Sequence, residues 1–297
     1  MVLGMTSLDP SPAAVSRIRV GTSGWRYRSW RGDFYPTGLV QRAELAYIGE
    51  HLSTVELNGS FYSLQRPQSY LRWRDAVPEG FTFAVKGSRY ISHMLRLRDT
   101  TAALANFFAS GVLALGPTLG PILWQLPERQ EFDSEVLEAF LAALPRTTAE
   151  ARALGRQHDE RMNGRTWLDD LEDRPLRYAL EPRCDTFDDP RAADILNRHG
   201  VALTVADTAG RWPRFDPGDA GLVYVRLHGA SELYASGYTD RELQEWAERC
   251  TGWAAQGEGR DVFIYFDNDA RGHAPHDALA LARLVGDAPP SDARQRP

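Results

Sequence analysis

Eight short apolar segments recur along this 297-residue chain, and each ends on a polar or charged residue. The segments are 18–21, 54–57, 81–85, 121–124, 176–180, 201–206, 222–225 and 262–266. Helical patterns occupy most of the intervals between them, at 43–51, 101–115, 134–144, 191–199, 240–256 and 276–285. Strands that alternate with helices are typically parallel. The pattern predicts an α/β fold, a (β/α)8 TIM barrel, as a single domain over residues 18–286.

Two intervals depart from this alternation. Residues 146–175 are polar, rich in Arg, Asp and Glu, and lack a strand pattern, which indicates an insertion before the fifth strand. Residues 208–219 are short and rich in Pro and Gly, so a loop is expected in place of the sixth helix. The composition of residues 1–17 predicts a flexible leader, and that of 287–297 predicts a disordered tail.

Composition narrows the class of protein. A net charge of −6 and a pI near 5.7 argue against a surface built wholly for nucleic acid. Cys184 and Cys250 have no metal-ligand spacing, which fits a reducing compartment. No apolar stretch approaches the roughly 20 residues that span a bilayer, and the N-terminus lacks a signal-peptide pattern. We therefore expect a cytoplasmic protein without a membrane partner, and the sequence leaves its oligomeric state open.

The polar residues at the segment ends predict the site. Residues two apart on a strand share a face, so Glu181 and Arg183 point the same way, as do Arg226 and His228. In a barrel that shared direction can be the interior near the carboxyl ends of the strands, where barrel enzymes carry their active sites. The predicted catalytic residues on this face are Glu56, Asn58, Glu181, Asp207, His228 and Asp267.

A second set of residues is predicted to bind the substrate. The loop at 25–31 interleaves arginines with large aromatic residues, and the segment 86–98 carries four basic residues and no acid. Arginine binds phosphate in a bidentate manner and aromatic rings stack on bases or sugars. Alternatively, the aromatic side chains only pack the loop down. The predicted set is Trp25, Tyr62, Lys86, Arg89, His93, Gln125, Arg183, Arg226 and Asn268.

Several long motifs of this chain resemble those of a known family. They are GTSGW at 21–25, WRGDFYP at 30–36, VELNGSFY at 55–62, FAVKG at 83–87, LWQLP at 123–127, YVRLHG at 224–229 and YFDND…GHAP at 265–275. The chain resembles the YecE-like family, also called domain of unknown function 72. The resemblance implies a TIM-type barrel with a distant likeness to barrels of the endonuclease IV and xylose isomerase type, and it implies no reaction. The family usually has a histidine after the fifth strand where this chain has Cys184, so no imidazole role is expected there.

The predicted cluster is rich in carboxylates, which need compensation in a partly buried site. Lys86, Arg183 and Arg226 could form an internal ion network with them. Alternatively, a divalent cation could bind among Glu56, Glu181, Asp207, His228 and Asp267 and activate water. With seven histidines in the chain, a centre with several metal ions is not expected, and no organic cofactor motif occurs. A purely structural role, with polar residues paired for burial, is the third interpretation.

One lysine raises a separate alternative. Lys86 follows the third strand and could act as a Schiff-base lysine, as in some barrels. The surrounding acids are expected to keep it charged, which favours an ion-pair or phosphate-binding role.

The leading functional hypothesis is a hydrolase or lyase of phosphoester or nuclease type. Its substrate would be small and anionic, phosphate-bearing or nucleic-acid-like, and the reaction could be metal-assisted or metal-free. One alternative is a sugar isomerase or a glycoside-type enzyme that uses two carboxylates. Another is a barrel that binds nucleic acid or a metabolite without catalysis.

Overall fold

Nine parallel strands form one continuous sheet. The computed structural model describes residues 18–256 and 259–290. Its strands are β1 Ile18–Ser23, β2 Thr54–Leu57, β3 Thr82–Lys86, β4 Leu119–Gln125, β5 Tyr178–Glu181, β6 Val201–Leu203, β7 Val205–Asp207, β8 Leu222–Leu227 and β9 Asp261–Phe266. The order across the sheet is β6-β5-β4-β3-β2-β1-β9-β8-β7. The predicted strands all lie within or overlap these elements.

The sheet is nearly closed into a barrel, because its two edge strands are separated by a single residue. Strand β6 pairs with β5 at one end of the order, and β7 pairs with β8 at the other. Only Thr204 separates β6 from β7 along the chain, and its backbone N–H donates to the carbonyl of Leu180 at 2.9 Å. The two ends of the sheet are therefore adjacent, and the prediction of an α/β barrel of parallel strands is confirmed at this level.

Nine α-helices accompany the strands in the described part of the chain. They are α1 Glu44–His51, α2 Gly59–Tyr62, α3 Pro67–Asp75, α4 Thr101–Ala109, α5 Ser134–Ala143, α6 Thr148–Gly155, α7 Pro190–Arg198, α8 Asp240–Ala254 and α9 Ala274–Val285. Short 3-10 helices occur at Arg28–Trp30, Gln41–Ala43, Val112–Thr118, Glu160–Met162 and Asp185–Phe187, and a π-helical turn at Tyr90–Met94. Local sequence explains several of the boundaries. Helix α8, for example, begins with a complete capping box between Thr239 and Glu242.

One predicted helix is shorter than the pattern indicated. The periodic segment 101–115 forms α4 only as far as Ala109, and Gly111 then has φ +108°. A side-chain carbon at Gly111 would lie 2.7 Å from the Cα of Pro67, so glycine permits both the turn and the close approach. The chain continues as the 3-10 helix Val112–Thr118. In the described residues no single helix could cross a membrane; only the bent pair Thr101–Ala109 and Val112–Thr118 has the length and composition together.

Strand alternation separates two hydrophobic layers. On β8, Val223, Val225 and Leu227 belong to the layer between the sheet and the helices, whereas Tyr224 faces the barrel interior. The interior layer consists of Ala84, Leu123, Ala179, Ala202, Ala220, Leu222, Tyr224, Phe263 and Tyr265. Small residues on β3, β5 and β6 leave room for the large aromatic residues of β8 and β9. The next inward positions along the strands are polar, and they form the floor of the site.

The two intervals that break the alternation differ in structure. Residues 146–175 contain α6, which packs beside α4, and the 3-10 helix Glu160–Met162. Residues 208–221 contain neither a helix nor a strand.

The ends of the chain are described only in part. The predicted leader lies outside the described residues, as does the predicted tail from 291 onward. The first residue of that tail, Asp287, is held in place, because its carboxylate accepts hydrogen bonds from the backbone N–H of Val20 at 2.7 Å and from the Ser53 hydroxyl at 2.6 Å.

Candidate functional site

A buried arginine lies at the centre of the predicted cluster. Arg226, from β8, is 1% exposed and donates to three carboxylates. It holds Glu56 through two hydrogen bonds, from Nε to Oε2 at 3.1 Å and from Nη2 to Oε1 at 2.9 Å. Its Nη1 donates to Glu181 Oε2 at 2.9 Å, and its Nη2 donates to Asp267 Oδ2 at 3.0 Å. One guanidinium therefore joins carboxylates from β2, β5 and the end of β9.

Neutral polar groups complete the coordination of Glu56. Its Oε1 accepts from the Ser23 hydroxyl at 2.5 Å, and its Oε2 accepts from the Tyr224 hydroxyl at 2.7 Å. Asn58 donates from Nδ2 to Ser23 Oγ at 2.8 Å, and its buried Oδ1 has no partner among the described residues. Because both oxygens of Glu56 are occupied in this way, Glu56 holds the floor together and is not free to act on a ligand.

Glu181 links the floor to the rim of the site. Its Oε1 accepts from Gln125 Nε2 at 3.0 Å and from Arg183 Nε at 2.9 Å. Burial alone would raise the pKa of Glu181, but the charges of Arg226 and Arg183 hold it well below its usual range. Glu181 is therefore ionised at neutral pH.

Asp267 is the most accessible carboxylate of the network, with 18% of its side chain exposed. Burial acts to raise its pKa, but Arg226 and His228 outweigh that effect and lower it to about 2. His228 Nδ1 lies 3.0 Å from Asp267 Oδ2 without hydrogen-bond alignment. Burial, and then the charge of Arg226, lowers the pKa of His228, so the imidazole is neutral at pH 7.

Lys86 ends β3 beside this network and is 9% exposed. Its backbone is fixed, because the Ser60 hydroxyl donates to the Lys86 carbonyl at 2.7 Å and Trp124 packs against Gly87, where a side-chain carbon would lie 2.3 Å from the indole. The ammonium lies 4.4 Å from the centre of the Phe61 ring. Within the described residues no carboxylate lies within 4.0 Å of it.

The pKa of Lys86 is lower than the sequence led us to expect, although the ammonium is still the main form at pH 7. The sequence predicted that the surrounding acids would keep it charged. Burial and the charge of Arg226 instead outweigh those acids, and they lower the pKa of Lys86 to about 8. The physical reason is that the three carboxylates hydrogen-bond to Arg226 and none of them pairs directly with Lys86, an arrangement that could not be read from the sequence.

Arg183 and Trp212 form one side of the rim. The Arg183 guanidinium lies 3.6 Å from the centre of the Trp212 indole, and its Nη2 donates to the Tyr234 hydroxyl at 3.5 Å. Trp212 belongs to the loop after β7 and donates from Nε1 to Glu128 at 3.0 Å. That loop therefore lies against the side of Arg183 and fixes its plane.

His93, Arg89 and Tyr62 lie at the opposite side of the rim. The His93 ring meets the Phe61 ring edge-on at 5.1 Å, and burial followed by the charge of Lys86 lowers its pKa to about 4. Arg89 lies 6.0 Å from the centre of the Tyr62 ring, which is 69% exposed. These predicted binding residues are accessible and surround the position of Lys86.

Three predicted residues are not brought into the cluster. Asp207 accepts from the Tyr238 hydroxyl at 3.1 Å and makes no contact with Arg226. The Asn268 amide donates to Asp277 at 2.8 Å and points away from the network. Trp25 is buried edge-on against Trp73 at 5.7 Å. The loop at 25–31 largely packs down, as the alternative interpretation had it, since Trp30 is fully buried.

The sequence interpretation missed Asp269. Its carboxylate is buried, its Oδ1 has no partner among the described residues, and burial together with the charge of Asp267 raises its pKa well above the usual range. Tyr27 lies against the same group. The signal was present, because Asp269 follows Asp267 by two residues in the same way that Asn58 follows Glu56.

The arrangement does not fit the divalent metal that the sequence allowed. Over the described residues, no three His, Cys, Asp or Glu side chains are grouped as they would need to be to hold a metal ion. The oxygens of Glu56, Glu181 and Asp267 that face one another are bridged by Arg226, which occupies the position that a cation would take. No step is therefore assigned to a metal here.

The fold and the cluster together define a class: an α/β barrel protein of parallel strands with a charged network at the carboxyl ends of those strands. A family model described as "Protein of unknown function DUF72" matches residues 19–297, and the chain belongs to that family.

Relatives with known sequences agree with this assignment. UPF0759 protein YecE of Escherichia coli (strain K12) is 30% identical over 131 residues, which span 43% of this chain and 44% of YecE, less than half of either. UPF0759 protein YunF of Bacillus subtilis (strain 168) is 22% identical over 90% of this chain and 94% of its own length.

Solved structures agree in fold. A DUF72 family protein from Thermotoga maritima superposes with a TM-score of 0.71 at 22% identity, covering 91% of this chain and 99% of that one. A DUF72 family protein from Enterococcus faecalis has a TM-score of 0.65 at 18% identity, covering 91% and 95%. At these identities the likeness concerns the fold alone.

Proposed function

We propose that this chain is an enzyme of lyase or hydrolase type that acts on a small phosphate-bearing substrate at the carboxyl ends of its strands. The proposal rests on the observation that the cations of the site differ in whether they are paired with carboxylates. Arg226 compensates the buried carboxylates, whereas Lys86 has no acid partner in the described chain and Arg183 keeps a guanidinium edge toward the rim.

The charge balance favours an anionic ligand. Three carboxylates and three cations of the network offset one another, and Arg89 adds a further positive charge at the rim. A phosphate group beside Lys86 and Arg183 would give the lysine the counter-ion that it lacks and would engage the free Arg183 nitrogen. Neutral His93 can donate a hydrogen bond there without adding charge.

Acid–base chemistry has one group with a suitable pKa. Lys86, with a pKa of about 8, can give up or take a proton near neutral pH. Asp267, partly exposed and held ionised by Arg226, would supply a fixed negative charge that stabilises positive charge formed beside it.

We also propose a finer description of the fold, on which the position of the site depends. If β6 and β7 count as one strand interrupted at Thr204, the barrel has eight strands and is of TIM type. The loop at 208–221 then replaces the sixth helix, and 146–175 is an insertion. Active sites of such barrels lie at the carboxyl ends of the strands, where Arg226 and its partners are found.

The test is a comparison of phosphate monoesters with their dephosphorylated forms. Binding is measured by isothermal titration calorimetry, and turnover by mass spectrometry of the reaction mixture. We expect the phosphorylated forms to bind, and Lys86→Gln or Arg183→Gln to weaken binding about tenfold or more, since hydrogen bonds to charged groups contribute about 1.5 to 3 kcal/mol. Arg72→Gln, at an exposed position on α3, is the matched control. Equal binding of the neutral forms would remove the phosphate from the proposal.

The other hypotheses have less support. A cavity of about 750 Å³ is lined by four arginines, but also by three acidic residues, which weakens its case as a nucleic-acid surface. Glycoside chemistry needs one carboxyl group to act as an acid. Glu181 and Asp267 are both held ionised by Arg226, so the buried carboxyl group of Asp269, whose pKa is raised by burial and by Asp267, is the group that would have to fill that role.

A further inference from the structure

Lys86 is the only lysine in the chain. The other 33 of its 34 basic residues are arginines. Apart from three pairs made by histidine, arginine supplies the cation of every ion pair in the described residues, so a fixed charge does not require lysine in this protein. The chemical difference between the two is that the lysine amine can lose its proton and become a nucleophile, whereas arginine stays protonated in proteins.

The fold places this single amine where it can react. Lys86 ends a barrel strand and is nine-tenths buried, and its Nζ lies over the apolar face of Phe61. The groups that act on it are Arg226, the three network carboxylates and His93. Since the carboxylates are hydrogen-bonded to Arg226, none of them forms an ion pair with Lys86 in the described chain. Burial and Arg226 lower the pKa of the amine to about 8, so a useful fraction is neutral near physiological pH.

We propose that Lys86 forms a Schiff base with an aldehyde or ketone substrate that also carries an anionic group, and that Arg183 holds that group. The amine lone pair of Nζ attacks the carbonyl carbon and a carbinolamine results. One proton moves from nitrogen to the former carbonyl oxygen to give the neutral carbinolamine. A second proton, taken from solvent, lets that oxygen leave as water, and one C=N bond, which keeps the remaining N–H proton as a protonated imine, replaces one C=O bond. The anionic group rests on the function proposed above, whereas the covalent step does not.

Groups already at the rim can assist this step. His93 contacts the same Phe61 ring as Lys86 and is neutral at pH 7. Because its pKa is so low it is a weak base, so it would orient the carbonyl oxygen as a hydrogen-bond donor while solvent at the rim carries the proton from nitrogen to that oxygen. Asp267, ionised and partly exposed, can stabilise the protonated imine, as it now stabilises Arg226. The geometry therefore points to a lyase that activates its substrate as an imine.

Because the chain has a single lysine, a covalent adduct can be assigned to one residue. The full-length protein is incubated separately with pyridoxal 5′-phosphate and with pyridoxal, an aldehyde without phosphate, and each mixture is reduced with sodium borohydride. Lys86 and the α-amino group are the only amines of the chain. Trypsin ordinarily cleaves after Lys86, so a reduced adduct yields the uncut peptide 75–89.

We expect the adduct on Lys86, with a labelling rate that rises as pH increases through about 8. Lys86→Arg keeps the charge but cannot condense, and Lys86→Met serves as a second variant should the first fold poorly; neither should yield an adduct at this position. The phosphate-bearing aldehyde should react about tenfold faster or more than pyridoxal, and Arg183→Gln should remove that advantage.

The outcomes separate the two proposals. Labelling of the α-amino group without labelling of Lys86 overturns the Schiff-base proposal, and it does so even if phosphate esters bind. Equal labelling of Lys86 by both aldehydes supports the covalent step and overturns the phosphate-binding role of Arg183.

Discussion

Replacing Lys86 with methionine should make the protein more stable at neutral pH. A pKa lowered from 10.5 to about 8 means that the folded state holds the ammonium form less favourably than the unfolded chain does. At about 1.4 kcal/mol for each tenfold change in proton affinity, the charge costs about 3 kcal/mol. Methionine has a similar length, carries no charge and suits the face of Phe61. Allowing for relaxation around the charge, we expect a gain of about 2 kcal/mol in the free energy of unfolding.

The sign of the pH dependence distinguishes this cause from a simple gain in hydrophobic packing. The penalty is complete below about pH 8, where both the folded and the unfolded chain carry the proton. It shrinks from about pH 8, where the folded lysine loses its proton, and it is gone above about pH 10.5, where the unfolded lysine has lost its proton as well. The advantage of Lys86→Met should therefore be large at pH 7 and mostly lost at pH 10.

Urea-induced unfolding, followed by tryptophan fluorescence at both pH values, provides the measurement. Lys86→Arg keeps a charge at the same position and should show no gain at either pH. Arg72→Met, at an exposed site on α3, should change stability by less than about 0.5 kcal/mol. A methionine variant that is less stable than the parent at pH 7, or whose gain is the same at pH 7 and pH 10, would refute the reasoning.

Four further predictions concern the surroundings of this lysine. Arg226→Met leaves buried carboxylates uncompensated and should cost about 3 to 5 kcal/mol in urea unfolding, part of which Glu56→Gln should restore; additive losses would contradict the network. Asp269→Asn should raise the melting temperature at pH 7 but not below about pH 4, because only the ionised carboxylate is destabilising; an effect of equal size at both pH values would contradict this. Trp212→Leu removes the ring that fixes Arg183 and should weaken binding of a phosphate ester about two- to fivefold in calorimetry; unchanged affinity would count against the rim. Elemental analysis of purified protein should find well under one divalent cation per chain, and near-stoichiometric metal would overturn the assignment of the central position to an arginine.

Much of the framework could be predicted from the sequence, because strand alternation is a local property. The eight apolar segments predicted the strands, and their polar ends predicted Glu56, Glu181 and Asp267 on one face. Local patterns carry no information on which partner each group meets across the barrel. The convergence of three carboxylates on Arg226 spans 41 to 170 residues along the chain, so it appears only in three dimensions.

The lack of information on long-range partners also explains why some residues lie elsewhere than the sequence predicted. Asn268 and Asp267 are adjacent in sequence, and only the path of the chain after β9 decides that one faces Arg226 and the other Asp277. The break at Thr204 is equally invisible, since 201–206 has an unbroken strand pattern. Asp269 is the exception, because the two-residue spacing that selected Asn58 would have selected it too.

The two cations of the floor differ in a way that matters for chemistry. Arg226 is surrounded by carboxylates and cannot titrate, so it sets a fixed electrostatic environment. The carboxylates hydrogen-bond to Arg226, so none of them pairs directly with Lys86 to hold its pKa at the usual value. The positive charge of Arg226 lowers the pKa of the amine further. For charge balance alone, a further arginine paired with the carboxylates would serve, as Arg183 does for Glu181, so an unpaired lysine is not needed for that purpose. The destabilising lysine is thus best explained by a reaction that requires an amine, and the arginine network by the need to keep that amine reactive.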